Sequence, residues 1–278
     1  MNYQEKCIKI KQIMQEYTTE DVMIAFSGGV DSSLLLALAC EAAQNKVYAV
    51  TLHTMLHPAA ELTEAKTIAE ELGAEHIVIS VDELSEADIS RNPKDRCYRC
   101  KKCLFQKVRD RAEELGIHTI IEGTNEDDLH VYRPGIEAVK ELGIKSPLAE
   151  VGMTKEEVRR LAAKYHVSSA GRPSTPCMAT RFPYGTELSY EKMQKVEAGE
   201  RFLKKFGFYN VRVRVHEEAA RDGEQSQVIE IARVELDAKR LELAIQNREE
   251  ICSYMRSLGY RYITLDLDGF HSGSYDRK

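Results

Sequence analysis

Short apolar runs alternate with helical patterns along the first half of this chain, and that alternation restricts its fold more than any other feature. Helical patterns separate the runs that read as strands, which are VMIAF, KVYAVTL, EHIVISV and HTIIEG. Strands that alternate with helices of roughly 10–15 residues build a parallel sheet covered by helices. We therefore predict an α/β fold with a doubly wound parallel sheet, whose ligands bind beyond the carboxyl ends of the strands.

A different pattern begins near residue 171. The stretch SSAGRPSTPCMATRFPYGT contains three prolines and two glycines, which interrupt the alternation. The chain then reads as a helix (Tyr190–Phe206), two strands, a helix (Asp237–Leu258) and a strand, which indicates a small sheet with helices on one face. We predict a first domain over residues 1–170, a connecting segment over 171–185 and a smaller C-terminal α+β domain over 186–278.

The segment SGGVDSS follows the first strand and opens a helix. Its glycines allow a tight turn and the close approach of a phosphate, and the amides at the helix start point toward an anion. Asp31 either orients the loop or helps to hold Mg²⁺. A turn that only caps the helix is the alternative, and a Walker A loop is excluded because no Gly-Lys-Ser/Thr follows. The candidate ligands are Ser27, Gly28, Gly29, Asp31, Ser32 and Ser33.

The segment EGTNEDDLHVYRPG begins at the end of the fourth predicted strand, where this fold keeps its ligand. We expect its first polar residues to face a nucleotide, its aspartates to face the metal, and its arginine to face a phosphate or carboxylate. A polar loop in which the asparagine supports its own turn is the alternative. The candidates are Gly123, Thr124, Asn125, Asp127, Asp128 and Arg133.

Two arginines of the C-terminal part, Arg212 and Arg214, lie in the predicted strand NVRVRVH. Side chains alternate along a strand, so both arginines project to the same side. Two cations on one face repel each other unless an anion lies between them. The pair therefore indicates either an anion site or a strand face exposed to solvent.

The segment DRCYRCKKCLF holds three of the chain's seven cysteines at intervals of three, and a helix is predicted from Cys103 to Gly116. Disulfides are rare in the cytoplasm, which leaves three interpretations. The thiols could lie on one helix face, or join Cys177 in a Cys₄ zinc site. Alternatively, three thiolates could hold an iron–sulfur cluster that leaves one iron open.

The composition is that of an ordinary soluble protein, with 43% hydrophobic and 30% charged residues. No stretch reaches the roughly 18 apolar residues that a membrane helix needs, and the N-terminal helix contains acidic residues, unlike a targeting peptide. We therefore expect a cytoplasmic protein that does not bind membranes. The net charge of −6 argues against a large nucleic-acid partner.

The SGGxDS pattern resembles the PP-loop ATP pyrophosphatases, in which the loop holds the pyrophosphate of ATP while its α-phosphorus is attacked. Six segments between about Asp21 and Ser274 resemble the LarE family in the same order: AFSGGVDSS, DRCYRCK, GTNEDDLHVYRPG, PCMATRFPYGT, VRVRVH and LGYRYITLDLDGFHSGS. The resemblance implies an adenine nucleotide alpha-hydrolase-like fold. It also implies an ATP-dependent sulfur transferase of nickel-pincer cofactor synthesis, which adenylates a carboxylate of pyridinium-3,5-biscarboxylic acid mononucleotide and replaces oxygen with sulfur.

The resemblance also assigns roles to residues. In one branch of the family the sulfur comes from a single cysteine, matching Cys177 here, which ends as dehydroalanine. In another branch three cysteines, matching Cys97, Cys100 and Cys177, hold a 4Fe-4S cluster that carries a sulfide; we expect this branch, in which Cys103 has no counterpart. The implied ligands of the mononucleotide phosphate or second carboxylate are Arg181, Arg212 and Arg214, with Glu200 as an orienting partner.

The implied cofactors are ATP, Mg²⁺ and the 4Fe-4S cluster, the implied partner is a small-molecule nucleotide substrate, and the implied assembly is a homo-oligomer. A tRNA-thiolating enzyme of the same superfamily is one rival interpretation, although it would need an extended basic surface. A non-catalytic nucleotide sensor with a redox-active cluster is another, but it leaves Arg212, Arg214 and the RFPYGT segment unexplained.

Overall fold

A computed structural model of the chain describes residues 1–56, 60–131, 133–167, 176–219 and 228–271. The chain divides into two compact units, each of which is described here by itself. The first comprises Met1–Ile89 and Asp95–Pro176, and the second comprises Ser90–Lys94 and Cys177–Lys278. The predicted connecting segment begins among residues 168–175, which lie outside the described residues, so the domain limits 1–170 and 186–278 remain a prediction.

A parallel sheet forms the centre of the first unit. Its described strands are β1 (Val22–Ala25), β2 (Val47–His53), β3 (Glu75–Ser80) and β4 (Thr119–Ile121). They lie in the order β3-β2-β1-β4, and every neighbouring pair is parallel. The predicted strands and the α/β class are confirmed.

The helices of the first unit alternate with these strands. They are α1 (Tyr3–Tyr17), α2 (Val30–Ala42), α3 (Ala60–Glu71), α4 (Glu83–Glu86), α5 (Arg96–Glu114), α6 (Glu126–Leu129), α7 (Gly135–Glu141), α8 (Pro147–Glu150) and α9 (Lys155–Lys164). Gly73 and Gly116 follow α3 and α5 with positive φ angles of 77° and 70°, as glycines that stop helices commonly do.

Strand β1 shows why helices cover both faces of the sheet. Val22 and Ile24 point into one apolar core, which residues of α1, α2, α3 and α9 complete. Met23, between them, points into a second core with residues of α5 and α7. Apolar side chains on both sides of a strand require a cover on both sides, and the doubly wound arrangement supplies it.

The strand order reverses next to β1. The chain runs from β1 through β2 to β3 on one side and then returns to place β4 on the other side of β1. In an open α/β sheet, ligands bind outside the carboxyl ends of the strands at such a reversal. The glycine loop follows β1, and the segment that begins at Glu122 follows β4, so both predicted binding segments lie at this point.

The cysteine-rich segment is helical from an earlier residue than predicted. Helix α5 begins at Arg96 and contains Cys97, Cys100 and Cys103, whereas the apolar pattern placed its start at Cys103. Ion pairs support the polar first turns. Arg99 contacts Asp95 and Asp88 at 2.8 and 2.9 Å, and side-chain ion pairs leave no apolar periodicity in a sequence.

The second unit contains a small mixed sheet. Its described strands are β5 (Val211–Ala219), β6 (Val228–Leu236) and β7 (Tyr262–Leu265), with β5 antiparallel and β7 parallel to β6. Val211, Val213 and Val215 are buried. The intervening residues, Arg212 and Arg214, lie on the opposite face, as the strand alternation predicted.

The helices of the second unit are α10 (Tyr190–Lys204), α11 (Leu241–Gln246) and α12 (Arg248–Ser257), with 3₁₀ helices at Met178–Arg181 and Ala238–Arg240. The single helix predicted over Asp237–Leu258 is wrong. Asn247 interrupts it with φ −101° and ψ 16° and turns its amide back to the carbonyl of Leu243 at 2.8 Å. Asparagine competes with helical hydrogen bonding in this way.

Within the described ranges of the chain, every helix is too short or too polar to cross a membrane.

Candidate active site

Hydrogen bonds of a serine hydroxyl within the glycine loop help to set its conformation. Gly28 adopts a φ of +73°, and a Cβ there would lie 3.4 Å from Ala65. The Ser32 hydroxyl accepts a bond from the Ser27 amide at 3.3 Å and donates to the Gly29 carbonyl at 3.1 Å. Ser33 is buried in the first turn of α2. These bonds present the loop and the helix N-terminus to an anion, which is the arrangement that phosphate-binding loops use.

Asp31 lies in the first turn of α2 between two residues from distant parts of the chain. The Asn125 side-chain amide donates to its Oδ1 at 3.2 Å, and the Lys155 ammonium pairs with its Oδ2. A carboxylate held by a cation and an amide beside a phosphate loop is suited to share Mg²⁺ with a nucleotide. The same geometry places the Lys155 ammonium beside the first turn of α2.

Lys155 was not predicted. The sequence TKEE signalled only a helix start, and the capping box of Thr154 and Glu157 that it implies is present. The backbone amide of Lys155 donates to Asp127 at 2.8 Å. A lysine at the first position of a helix carries no signal of its own in a single sequence, so its contact with Asp31 could be found only in the folded structure.

The segment after β4 packs against the start of α2. A Cβ on Gly123 would lie 3.0 Å from the Asp31 Cβ and 3.1 Å from the Ser32 amide, so only glycine allows this approach. Asn125 is buried and caps α6. Asp128 pairs with Arg133 at 2.9 Å. Gly123 and Asn125 therefore meet the loop, while Asp128 and Arg133 contact each other.

The side chain of Glu122 accepts hydrogen bonds within this segment, a role that was also not predicted. It is buried, and it accepts bonds from the Thr124 amide at 3.0 Å, the Thr124 hydroxyl at 2.9 Å and the Ser146 hydroxyl at 2.6 Å. The Lys101 ammonium lies 3.7 Å away. The predicted ligand Thr124 therefore has its hydroxyl turned toward Glu122.

In the second unit, Arg181 and Glu200 form a buried pair. Arg181 is only 1% exposed, and its Nε and Nη2 donate to the two oxygens of Glu200 at 2.9 and 3.0 Å. Glu200 also accepts a bond from the amide of Val213 at 3.1 Å. The predicted orienting role of Glu200 toward an arginine is therefore directed at Arg181.

A second buried pair joins Arg214 to Glu235. Arg214 is 3% exposed and Glu235 is fully buried, and their bidentate contacts measure 3.0 and 3.1 Å. Arg233 reaches the same carboxylate at 3.2 Å. Glu235 lies opposite Arg212 in the register of β5 and β6. No pattern in the sequence connects Glu235 with an arginine.

Arg212 differs from both. Its guanidinium donates to the Val211 carbonyl at 2.7 Å and lies 4.9 Å from the centre of the Phe270 ring. Among the described residues, no carboxylate forms an ion pair with it. Burial, followed by the charge of Arg181, lowers the pKa of Arg212. A positive charge destabilised in this way would be stabilised by a bound anion.

The cysteines occupy unlike environments. Cys97 is exposed, whereas Cys100 and Cys103 are half-buried and pack against the second core of the first unit. Burial, followed by Glu86, raises the pKa of Cys103. Cys177 precedes the 3₁₀ helix of the second unit.

No three His, Cys, Asp or Glu side chains within the described parts of the chain are grouped so as to hold a metal ion. The ligand set Cys97, Cys100 and Cys177 therefore stays a prediction.

Both a protein-family model and several individual proteins are similar to this chain. A family model described as NAD synthase matches residues 2–112, which include the glycine loop. The pyridinium-3,5-bisthiocarboxylic acid mononucleotide synthase of Lactiplantibacillus plantarum is 35% identical over 253 residues, 91% of this chain and 87% of that protein. An uncharacterized protein of Synechocystis sp. is 36% identical over 273 residues, 97% of each chain. The tRNA-specific 2-thiouridylase of Rickettsia bellii is 26% identical over 196 residues, 55% of this chain and 52% of that protein.

Proposed function

The chain belongs to the LarE family of ATP-dependent sulfur transferases, and on that premise we propose that it acts on pyridinium-3,5-biscarboxylic acid mononucleotide. The enzyme adenylates one carboxylate of this substrate and replaces a carboxylate oxygen with sulfur, in the synthesis of the nickel-pincer nucleotide. The observation that most strongly supports this proposal is the 35% identity to the Lactiplantibacillus synthase over 91% of the chain. That similarity spans both the glycine loop and the arginine-bearing strand.

The first half of the reaction uses the loop of the first unit. Loop amides and the hydroxyls of Ser27, Ser32 and Ser33 bind the phosphates of ATP. Asp31 offers its carboxylate to Mg²⁺, and Lys155 offers a compensating cation. A substrate carboxylate attacks the α-phosphorus, the bond to the β-phosphate oxygen breaks, and pyrophosphate leaves. Alignment of the two reactants contributes up to about 7–11 kcal/mol in favourable cases.

The second half forms the carbon–sulfur bond and releases AMP. We assign the substrate's phosphate or second carboxylate to Arg212, because its charge has no carboxylate partner among the described residues. Arg181 and Arg214 are already paired with Glu200 and Glu235.

Two sources of sulfur remain under the proposal. If Cys97, Cys100 and Cys177 held a 4Fe-4S cluster, the cluster would supply the sulfide that is transferred. Alternatively, the Cys177 thiolate attacks the acyl adenylate, and loss of its α-proton with cleavage of the Cβ–S bond leaves dehydroalanine and a thiocarboxylate.

A small-molecule substrate, rather than tRNA, also fits the charges of α5. Three cations of this helix are paired with carboxylates: Arg99 with Asp88 and Asp95, Lys102 with Glu141, and Lys107 with Glu86. These pairs reduce the positive charge that the helix offers to a phosphate backbone. A cytoplasmic homo-oligomer without a nucleic-acid partner is part of the same proposal.

The direct test is an anaerobic reaction of the purified protein with ATP, Mg²⁺ and the biscarboxylate mononucleotide. Pyrophosphate and AMP should form in equal amounts, and the product should carry sulfur in place of one oxygen by mass spectrometry. A matched reaction with unfractionated tRNA should yield no thiolated nucleoside. Pyrophosphate release only in the presence of tRNA would contradict the proposal and support the tRNA-thiolating alternative.

Cysteine variants separate the two sulfur sources. With a cluster, Cys97→Ala, Cys100→Ala and Cys177→Ala should each lose iron and the brown chromophore, while the control Cys103→Ala retains both. With a sacrificial cysteine, only Cys177→Ala should lose activity, and the used protein should be lighter by one H₂S. Full iron retention in Cys177→Ala would contradict a cluster that has Cys177 as a ligand.

A further inference from the structure

Two buried arginines of the second unit reach the same short turn, which carries Cys177. Arg181 Nη1 donates to the carbonyl of Cys177 at 3.2 Å and to the Thr180 hydroxyl at 3.0 Å. Arg214 Nη1 donates to the carbonyl of Thr180 at 2.5 Å. The turn therefore has one guanidinium bound at its beginning and another near its end.

Neither guanidinium has much capacity left for a ligand. A guanidinium has five N–H donors. Arg214 uses at least four of them, on the two oxygens of Glu235 and on the carbonyls of Thr180 and His271. Arg181 also uses at least four, on Glu200, the Cys177 carbonyl and the Thr180 hydroxyl. An anion could displace these contacts only by dismantling both ion pairs.

The carboxylates fix where the guanidiniums stand. Glu200 is anchored by the Val213 amide on β5 and Glu235 by Arg233 on β6. Bidentate pairing fixes the plane of a guanidinium, so the remaining Nη1 donor of each arginine is aimed at one place. In both cases that place is the turn at residues 177–181.

We propose that Arg181–Glu200 and Arg214–Glu235 are positioning pairs, which hold the Cys177 turn in the geometry needed for sulfur transfer. Glu235 thereby gains a role in the reaction, and Arg214 acts on the turn rather than on the substrate anion. The importance of Cys177 rests on the proposed function, whereas the clamping of its turn does not. Arg212, which touches neither carbonyl, has the separate role of anion ligand.

The test removes one clamp while keeping a filled core. In Arg214→Met with Glu235→Leu, apolar side chains of similar volume replace a buried ion pair, an exchange that folded proteins often accept. The matched control is Lys192→Met with Glu217→Leu, which deletes another ion pair of the same unit, at 2.6 Å, whose lysine bonds to Glu187 rather than to the Cys177 turn. Circular dichroism and thermal melting establish that each protein is folded.

The structural readout is amide hydrogen–deuterium exchange of the peptide covering residues 177–182. Its amides of Thr180 and Phe182 donate to the carbonyls of Cys177 and Ala179. Loss of one hydrogen-bonded clamp should accelerate exchange there by roughly two- to tenfold. Peptides of the first unit should exchange at the wild-type rate, and the control pair should leave the turn unchanged.

The functional readout separates positioning from general damage. In the clamp variant, pyrophosphate release and its KM for ATP should stay near the wild-type values, while thiolated product per pyrophosphate falls. A merely destabilised protein would lose both activities together. Arg212→Met provides a further contrast, because it should raise the KM for the mononucleotide without accelerating exchange of the turn.

Unchanged exchange at residues 177–182 in the clamp variant would overturn the proposal. Faster exchange with undiminished thiolation would overturn the positioning role as well. If the wild-type protein releases no pyrophosphate with the mononucleotide, the proposed function fails, and the exchange experiment still decides whether the pairs clamp the turn.

Discussion

The two units offer different kinds of chemical group to an anion. In the first unit the glycine loop offers backbone amides at a helix N-terminus, and Asp31 in the first turn of that helix is balanced by Lys155. In the second unit full side-chain charges do the work, and Glu200 and Glu235 already neutralise Arg181 and Arg214. Arg212 differs from these two arginines, because no carboxylate among the described residues forms an ion pair with it.

This difference teaches where specificity can come from. Amides around a glycine loop recognise a phosphate of any nucleotide, because the backbone carries no side-chain identity. A half-buried guanidinium beside two neutralised neighbours accepts one anionic group at one position. We therefore expect damage to the first unit to remove ATP chemistry and damage to the second to alter which substrate is used and whether it is thiolated.

The largest expected effect is in the first unit. Asp31→Asn keeps the size of the side chain but removes the charge that pairs with Lys155 and would hold Mg²⁺. Removal of one preorganised charge from a transition state costs about 10²–10³ in kcat, and pyrophosphate release should fall by that factor. Asp21→Asn is the control, because Asp21 lies just before β1, at the opposite end of that strand from the glycine loop, and accepts a hydrogen bond from the Lys46 amide at 3.0 Å. Equal losses in both variants would contradict a special role for Asp31.

The first unit is also the one that the sequence predicts well. The alternation of strands and helices, the turn at Gly28 and Gly29 and the switch in strand order all follow from local patterns. Its missing pieces are side chains that act across the fold. Lys155 reaches a residue 124 positions away, and Glu122 supports Thr124 by contacts that no spacing rule contains.

The second unit is predicted in outline only. Alternation placed Arg212 and Arg214 on one face correctly, but it could not tell them apart. That distinction depends on Glu235, which lies 21 positions from Arg214 in the sequence and meets it through the pairing of β5 with β6. Strand register and side-chain rotamers decide such contacts, and neither is readable from one sequence.

The next effect isolates Arg212. Arg212→Ala should raise the KM for the mononucleotide by roughly 10- to 150-fold, since a lost charge-assisted hydrogen bond costs roughly 1.5–3 kcal/mol. The KM for ATP should not change. Arg201→Ala, an exposed arginine on α10, is the control and should leave both constants alone. An unchanged KM for the mononucleotide would make Arg212 part of an ordinary strand face.

A smaller effect tests the backbone character of the loop. Gly28 has a φ of +73°, and Gly28→Ala should destabilise the protein by about 1–2 kcal/mol because a Cβ is strained there. Gly116→Ala has nearly the same φ, +70°, with no atom within 4 Å of the new Cβ. Both variants should melt at lower temperature, but only Gly28→Ala should raise the KM for ATP several-fold. An equal KM for ATP in the two variants would mean that the backbone conformation at Gly28 does not affect phosphate binding.

Two fully buried glutamates extend the comparison to pH. Glu235 shares its oxygens between Arg214 and Arg233. Glu83, in the first unit, has no cationic partner among the described residues: its Oε1 accepts from the Leu56 amide at 2.7 Å, and its Oε2 has no hydrogen-bond partner. Burial raises the pKa of Glu83 above its usual 4.5.

The smallest expected effect follows from that raised pKa. Folded Glu83 binds its proton more tightly than the unfolded chain does, so its contribution to stability is greatest below about pH 4.5 and is lost as the pH rises through the folded pKa. Glu83→Gln cannot lose a proton, so its Tm relative to wild type should be higher at about pH 8 than at about pH 4.5, by a few degrees at most, since about 1 kcal/mol moves Tm by roughly 2–4 °C.

The contrasting variant is Glu86→Gln. A hydrogen bond from Lys107 lowers the pKa of Glu86. Glu86→Gln should therefore reduce Tm at about pH 8 and reduce it less at about pH 4.5, because this contribution is lost only as the pH falls through the folded pKa. Calorimetry of the three proteins across this range measures both trends, and a Tm difference for Glu83→Gln that does not grow with pH would mean that Glu83 is ionised in the folded protein despite its burial.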